Sequence, residues 1–126
     1  TEILFPVARK NQIFGFAELS RRHGDFATVG VAVRARHIVG ALDDLSVVFF
    51  GSEPAPLLSP GARDIILAAD CTDTTLADAA RAMTADMEPM DNQQGRGETK
   101  RKQAAVLLQR TLRDMLGRAR IRSSDV

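Results

Sequence analysis

The residues that could do chemistry are few and lie far apart in the 126-residue sequence. The histidines, His23 and His37, have no second histidine, cysteine or tight carboxylate pair at the spacing of a metal site. Cys71 is the single cysteine, so the chain can form no internal disulfide, and a structural role is expected for it. No serine stands in a nucleophile elbow, and no glycine pattern predicts a phosphate-binding turn. The sequence therefore predicts no bound metal, no hydrolase and no complete nucleotide-binding fold.

The segment RRHGDFA, residues 21–27, combines cationic side chains with a glycine at a predicted change of structure. Cations are favourable near the C-terminal carbonyls of a helix. Ordinary helix capping therefore explains Arg21, Arg22 and His23. Gly24 can take the left-handed backbone that commonly ends helices. Asp25 and Phe26 would then enter a strand at a rim, where loops often present side chains to a ligand. Capping and ligand contact both remain open for this segment.

The elements that must position this segment follow from the hydrophobic pattern. Helical spacing of Ile13, Phe16 and Leu19 predicts a helix over residues 12–23. Alternation in residues 25–39 predicts a strand with one buried face. One of its faces carries Phe26, Thr28, Gly30, Ala32 and Arg34, and the other carries Ala27, Val29, Val31, Val33 and Ala35. Asp43 and Asp44 are predicted to form a turn into a second strand over residues 45–50.

The rest of the chain is predicted to be a connector followed by helices. Residues 2–6 indicate the tail of a strand, and the proline-rich segment 51–63 indicates a surface connector with local extended structure. Helices are predicted over 60–69, after a cap at Thr74 or Thr75, and over 98–117, with a loop over 88–97. The second and third helices each carry an apolar stripe, formed by Leu76, Ala79, Ala80 and Met83 and by Ala104, Ala105, Leu108, Leu112, Met115 and Leu116. These elements predict an α+β domain in which an antiparallel sheet of three to four strands packs against three helices.

Composition limits the class of protein. A hydrophobic content of 44% suits one compact domain, and no apolar run approaches the roughly 18 residues of a membrane-spanning helix. The lone cysteine fits a reducing cytoplasm. The first residue is Thr, so we expect the sequence to be part of a longer polypeptide.

Basic residues are concentrated in residues 96–122, where nine lysines and arginines face two carboxylates, Glu98 and Asp114. Such a segment could belong to a free-standing interaction module that binds an acidic partner or nucleic acid. No aromatic residue interleaves with these charges, which argues against nucleic acid. The charges could equally cover the solvent face of an amphipathic helix with a frayed tail after Gly117, or contact an acidic neighbouring subunit.

Three segments together resemble a known family, the C-terminal domain of the FAD-binding medium subunit of molybdenum hydroxylases such as carbon monoxide dehydrogenase and xanthine dehydrogenase. They are residues 16–33 (FAELSRRHGDFATVGVAV), 45–62 (LSVVFFGSEPAPLLSPGA) and 99–116 (TKRKQAAVLLQRTLRDML). TEILFP at the start resembles the last strand of the preceding FAD-binding domain. The resemblance implies residues 1–10 as the end of that domain or a linker, 11–117 as the domain itself, and 118–126 as a basic tail.

The resemblance implies a part in a multi-subunit FAD and molybdenum oxidoreductase, a dehydrogenase in which this domain alone is not catalytic. An iron–sulfur subunit and a subunit with the molybdenum cofactor are the implied partners, and electrons would pass through the iron–sulfur clusters to FAD and an external acceptor. The glycine loops that bind FAD belong to the family's earlier domains, so this chain is expected to hold FAD poorly by itself.

The resemblance assigns cofactor contacts, but no catalytic or metal-binding residue. The aromatic residue of the family's GDY or GDF motif lies near the isoalloxazine ring, and Phe26 matches that position. Asp25 and Gly24 would support the turn beneath it. Glu18 stands where some relatives direct a lysine toward the flavin. Neither a membrane span nor nucleic acid is expected, and the expected location is the cytoplasm.

Overall fold

The computed structural model describes residues 2–5, 7, 9–20, 24, 27–92 and 95–124, with the side chains of 120–124 excepted. This part of the chain forms an antiparallel sheet with helices on one face. The strands are β1 (Gln12–Ser20), β2 (Ala27–Ile38), β3 (Ala41–Phe50), β4 (Leu57–Leu58) and β5 (Leu67–Ala68), and the helices are α1 (Asp73–Thr84) and α2 (Gly97–Ser124). The predicted α+β class is confirmed, with two α-helices in place of the predicted three.

The sheet is a meander in the order β1-β2-β3-β4, and β5 pairs with the opposite end of β3. Its inner face packs against α2 and buries the face of β2 that carries Val29, Val31 and Val33. These valines lie beside Val47 and Phe49 of β3. The alternation in β2 predicts one buried face, and the structure shows that it is the face of the valines.

The predicted helix over residues 12–23 is wrong, because residues 12–20 form β1 and pair with β2 along their whole length. Ile13 and Ala17 face the core, whereas Phe14 and Phe16 lie on the opposite face. Because apolar residues lie on both faces, β1 lacks the alternation of polar and apolar residues that marks a half-buried strand. Nine residues are also too few to distinguish the period of a strand from that of a helix. Residues 21–23 of that prediction lie outside the described residues.

The predicted turn at Asp43 and Asp44 is also wrong. The β2–β3 hairpin turns at Val39 and Gly40, where Gly40 has φ +74°. Asp44 has φ +49° and occupies a bulge in β3, which aspartate tolerates better than most residues. The bulge lets both Leu42 and Leu45 reach the core although they stand three positions apart.

Segments 2–5 and 60–69 differ from their predictions. Residues 2–5 belong to no strand, and the predicted helix at 60–69 is a short 3-10 turn, Ala62–Asp64, followed by β5. β5 pairs Leu67 with Leu42 and so supplies the first half of β3 with backbone hydrogen bonds on that side. The predicted extended structure within the connector is present as β4.

The two helices bury the predicted apolar stripes but differ at their ends. The hydroxyl of Thr72, rather than that of Thr74 or Thr75, caps α1 by accepting a hydrogen bond from the Thr75 N–H at 3.2 Å. The predicted end of the last helix at Gly117 is wrong, since α2 continues to Ser124. Leu116 and Ala119 are buried on either side of Gly117, so packing outweighs the low helix propensity of glycine.

The tightest contact between the layers is that of α2 with β1 at Gly15. A Cβ atom on Gly15 would lie 2.5 Å from Thr111 Cγ2 and 2.7 Å from Met115 Sδ. Close by, Arg118 Nη2 donates to the carbonyl oxygen of Phe14 at 2.5 Å. The close approach of α2 therefore explains the glycine in the GFA sequence of β1.

We predict opposite effects for one substitution at two glycines. Gly15→Ala should lower the free energy of unfolding by about 1–3 kcal/mol, because the added methyl overlaps Thr111 and Met115. Gly117→Ala should raise it by about 0.5–1 kcal/mol, because the site is open and lies within a helix. Urea denaturation measures both variants, and a stabilised Gly15→Ala would contradict the described packing.

Candidate functional site

The candidate site lies at the rim of the sheet where β1 ends, β2 begins and β3 ends. Ser20 pairs with Ala27 there, and the predicted site segment connects the two. Gly24 has φ +83°, the left-handed backbone predicted for it, although it joins two strands and does not follow a helix. Among the described residues that are not its chain neighbours, none has a heavy atom within 4 Å of a Cβ built on Gly24. Asp25 and Phe26 lie outside the described residues.

Glu18 is exposed near the end of β1, directly opposite Gly30 of β2. Strand alternation places it on the same face of the sheet as Phe16, the face away from the helices. Because β1 ends at Ser20, two residues after Glu18, its carboxylate is near the rim. The structure therefore places Glu18 and Gly24 at the same end of the sheet.

The exit of β3 links this rim to the loop between the two helices. Gly51 has φ +84°, and a Cβ there would lie 2.8 Å from the carbonyl oxygen of Ala27. Just beyond it, the Ser52 carbonyl accepts a hydrogen bond from the Met90 N–H at 3.0 Å. The loop that precedes α2 is thereby held beside the ends of the strands.

Lys100 fixes that loop from the inside. Its side chain is fully buried, and its Nζ donates to the carbonyl oxygen of Met90 at 2.6 Å and to Asn92 Oδ1 at 2.8 Å. Asp91 Oδ1 accepts a hydrogen bond from the Gly97 N–H at 2.5 Å, at the start of α2. A buried ammonium group requires such acceptors, because an unpaired buried charge is costly.

The burial of Lys100 was not predicted from the sequence, because Lys100 was grouped with the basic residues of a solvent-exposed helix face. A signal for burial was present, since Lys100 stands at i, i+4 spacing with Ala104 and Leu108 of the apolar stripe. The lysine therefore continues the buried face of α2 into the loop.

The face of the sheet away from the helices is also apolar, and we call it the outer face. Its apolar side chains come from four strands: Phe14, Phe16, Ala32, Val48, Phe50 and Leu58. The rings of Phe16 and Phe50 stack with their centroids 5.6 Å apart and their planes at 22°. Phe50 lies over Gly30, where a Cβ would come within 2.1 Å of its ring. A shallow depression of about 310 Å³ lies beside them, and its lining includes the apolar Phe14 and Val48 and the polar pair Arg34 and Ser46, whose side chains are hydrogen-bonded at 3.1 Å.

Charged side chains border the far end of the outer face. Arg36 donates from Nε and Nη2 to the two carboxylate oxygens of Asp43, at 2.8 and 2.6 Å. Hydrogen bonding from Arg36 holds the pKa of Asp43 below its usual value and raises the pKa of Arg36. The favourable contribution of this pair is therefore present above the ordinary pKa of aspartate and is lost as the pH falls through the lowered pKa.

The basic stretch of α2 is partly neutralised by carboxylates. Lys102 pairs with Glu98 at 3.5 Å and Arg118 pairs with Asp114 at 3.0 Å, both within the helix. Arg113 reaches Asp73 at the start of α1, with 2.5 Å between the charged atoms. These pairs support the interpretation of the basic residues as a solvated helix face.

The described residues offer neither a cluster of metal ligands nor a membrane-spanning helix. No group of three or more histidine, cysteine or carboxylate side chains in that part of the chain could hold a metal ion. Among the same residues, no helix is both long enough and apolar enough to cross a membrane.

Comparison with known proteins gives a consistent result. A family model described as the CO dehydrogenase flavoprotein C-terminal domain matches residues 14–115. The carbon monoxide dehydrogenase medium chain of Hydrogenophaga pseudoflava is 27% identical over 111 residues, which are 88% of this chain and 39% of the relative.

Solved structures share the fold. The chain superposes with a TM-score of 0.79 and 26% identity on the H. pseudoflava carbon monoxide dehydrogenase that lacks the Mo-pyranopterin moiety of its molybdenum cofactor, covering 90% of this chain and 39% of that one. Quinoline 2-oxidoreductase from Pseudomonas putida 86 gives a TM-score of 0.75 at 24% identity, covering 84% of this chain and 37% of that one. The chain thus spans about two-fifths of the length of the relatives it matches.

We predict that Lys100→Met lowers the free energy of unfolding by about 2–4 kcal/mol. The substitution keeps an apolar stem but leaves the Met90 carbonyl and Asn92 without their charged donor. The matched control is Lys102→Met on the same helix, whose exposed ion pair with Glu98 should be worth less than about 1 kcal/mol. Equal effects of the two substitutions in urea denaturation would contradict the burial of Lys100.

Proposed function

The chain belongs to the family of CO dehydrogenase flavoprotein C-terminal domains, and from that membership we propose that it is the C-terminal domain of a FAD-carrying oxidoreductase subunit. The observation that carries the proposal is the family match over residues 14–115, with the same fold in carbon monoxide dehydrogenase. The assembly would be a molybdenum-containing dehydrogenase, and this domain alone would not be catalytic. Because the chain spans two-fifths of its relatives, the activity belongs to a larger protein than this chain.

Within that subunit, the rim would form one wall of the flavin pocket. Phe26 would cover one face of the isoalloxazine ring and exclude water from it. Asp25 and Gly24 would shape the turn that presents the Phe26 side chain to the flavin. The left-handed backbone at Gly24 supports this role, because it allows the sharp turn that the motif requires. FAD, when bound, supplies the hydride and single-electron chemistry, and the protein positions it.

The residues of this chain fit a wall of the flavin pocket, but they do not fit a binding site for the FAD pyrophosphate. The sequence holds no glycine-rich loop that could cradle the pyrophosphate of FAD, so that group would be held by other domains of the subunit. Glu18, on the outer face near the rim, is the second candidate for a flavin contact. It would bring a negative charge to a position where some relatives are expected to carry a lysine.

The domain limits and partners form part of the same proposal. Residues 11–117 would form the domain, 1–10 the link to the FAD-binding part, and 118–126 a basic C-terminal tail. An iron–sulfur subunit and a molybdenum-cofactor subunit would be the partners, in the cytoplasm. Electrons from the molybdenum centre would then reach the flavin through the iron–sulfur subunit.

We predict that Phe26→Ala in the full-length subunit reduces the FAD content of the purified protein several-fold or shifts the flavin reduction potential. Loss of the ring opens one side of the isoalloxazine to water. The flavin absorbance per polypeptide and a redox titration measure these two effects.

Phe26→Tyr is the matched control for this test. It keeps the ring, adds the hydroxyl found in the family's GDY motif, and should retain flavin. The proposed wall would be wrong if Phe26→Ala kept a normal flavin content, reduction potential and turnover. A thermal unfolding curve that matches the original protein shows that the substitution acts at the flavin and not on folding.

A further inference from the structure

We propose that the outer face of the sheet is a docking surface for the rest of the same polypeptide, the part that would carry the FAD-binding loops. This inference rests on the proposed function, because it requires a longer subunit of which this chain is one domain. It adds a location for the contact between the two parts of the subunit. The contact would lie on the sheet and not on the helices.

The outer face exposes large apolar side chains. The side chains of Phe14 and Phe16 on β1 and of Leu58 on β4 are 47%, 64% and 60% exposed. Ala32 of β2 and Val48 of β3 lie between Phe16 and Leu58 on the same face and join the two edges of the sheet. Antiparallel sheets with one solvated face normally place polar residues on that face. A contiguous apolar surface with a polar border is typical of an interface.

The sequence pattern of β1 leads to the same conclusion independently. Ile13 and Ala17 face the helices, while Phe14 and Phe16 face the other way, so the strand is apolar on both sides. Strands that are covered on both faces show this continuous apolar pattern. β1 therefore has the composition of a strand that is covered on both of its faces.

The outer face is already ordered in the conformation that docking requires. Phe50 lies across Gly30, and Phe16 stacks on Phe50, so the two rings form a flat surface on the sheet. Any side chain at position 30 would displace the Phe50 ring. Because these rings are held before docking, less side-chain entropy is lost when a partner binds.

The free edge of β1 is a less suitable contact than its face. Arg118 occupies the carbonyl oxygen of Phe14 from α2, and charged side chains at an edge discourage the addition of another strand. The inner face is filled by the helices. The outer face is thus the apolar surface that the described part of the chain leaves uncovered.

The length of the relatives identifies the occupant. The matched region is 39% of the Hydrogenophaga medium chain, so most of that polypeptide lies outside the match. Ile3, Leu4, Phe5 and Val7, which precede β1 and are separated from it by the polar residues 9–11, are also strongly exposed apolar residues. A covalently joined domain has a high effective concentration at this face, which favours it over a separate subunit.

Thiol labelling of the full-length subunit tests the proposal. Phe16→Cys places a thiol on the outer face, and Leu58→Cys, at a position that is 60% exposed, reports the same face from β4. Glu98→Cys, where the side chain is 80% exposed on α2, is the matched control. We expect both outer-face thiols to react about tenfold or more slowly than the Glu98→Cys thiol, as measured by mass spectrometry of the tryptic peptides.

The outcomes separate this inference from the proposed function. Labelling of both outer-face thiols as fast as the control would overturn the docking surface, and so would protection that disappears on dilution or needs another subunit. Protection that persists at all protein concentrations supports it. Flavin content is read on the same samples, so a flavin-loaded subunit with a freely labelled face rejects only the docking inference. A full-length chain without flavin rejects the proposed function instead.

Discussion

The close contact of α2 with β1 at Gly15 is the constraint on which the rest of the domain depends. It leaves no room for a side chain at that position, so helix and strand are locked at one distance and one register. The same helix crosses β2 and β3, reaches α1, and carries Lys100 into the loop beside the rim. The position of the candidate site is thus set by the packing of α2 on the sheet.

Much of the fold follows from sequence wherever one face is polar and the other apolar. β2 and the stripes of α1 and α2 have that contrast, so the sequence predicts one buried face for each of them. β1 lacks it, because Phe14 and Phe16 are as apolar as the residues on the inner face. The bulge at Asp44 and the pairing of β5 also escaped prediction, since both depend on which strand lies opposite.

The candidate site was less predictable than the fold for a physical reason. The turn at Gly24 can be predicted from the local sequence, because few residues other than glycine accept its left-handed backbone conformation. The rim itself is assembled from the ends of three strands and from the loop held by Lys100, which no local pattern brings together. Phe26 was found through its resemblance to a family motif, and its role remains a proposal. The stacked rings of Phe16 and Phe50 required the register of the whole sheet.

The proposed function places the β1–β2 connection against the flavin. Photolabelling of the full-length subunit, reconstituted with FAD bearing an azide on its isoalloxazine ring, tests this placement most directly. We expect the label to reach the tryptic peptide of residues 23–34, which contains Gly24, Asp25 and Phe26. A subunit that binds the azido-FAD but takes up label only in other peptides, such as those of α2, would contradict it.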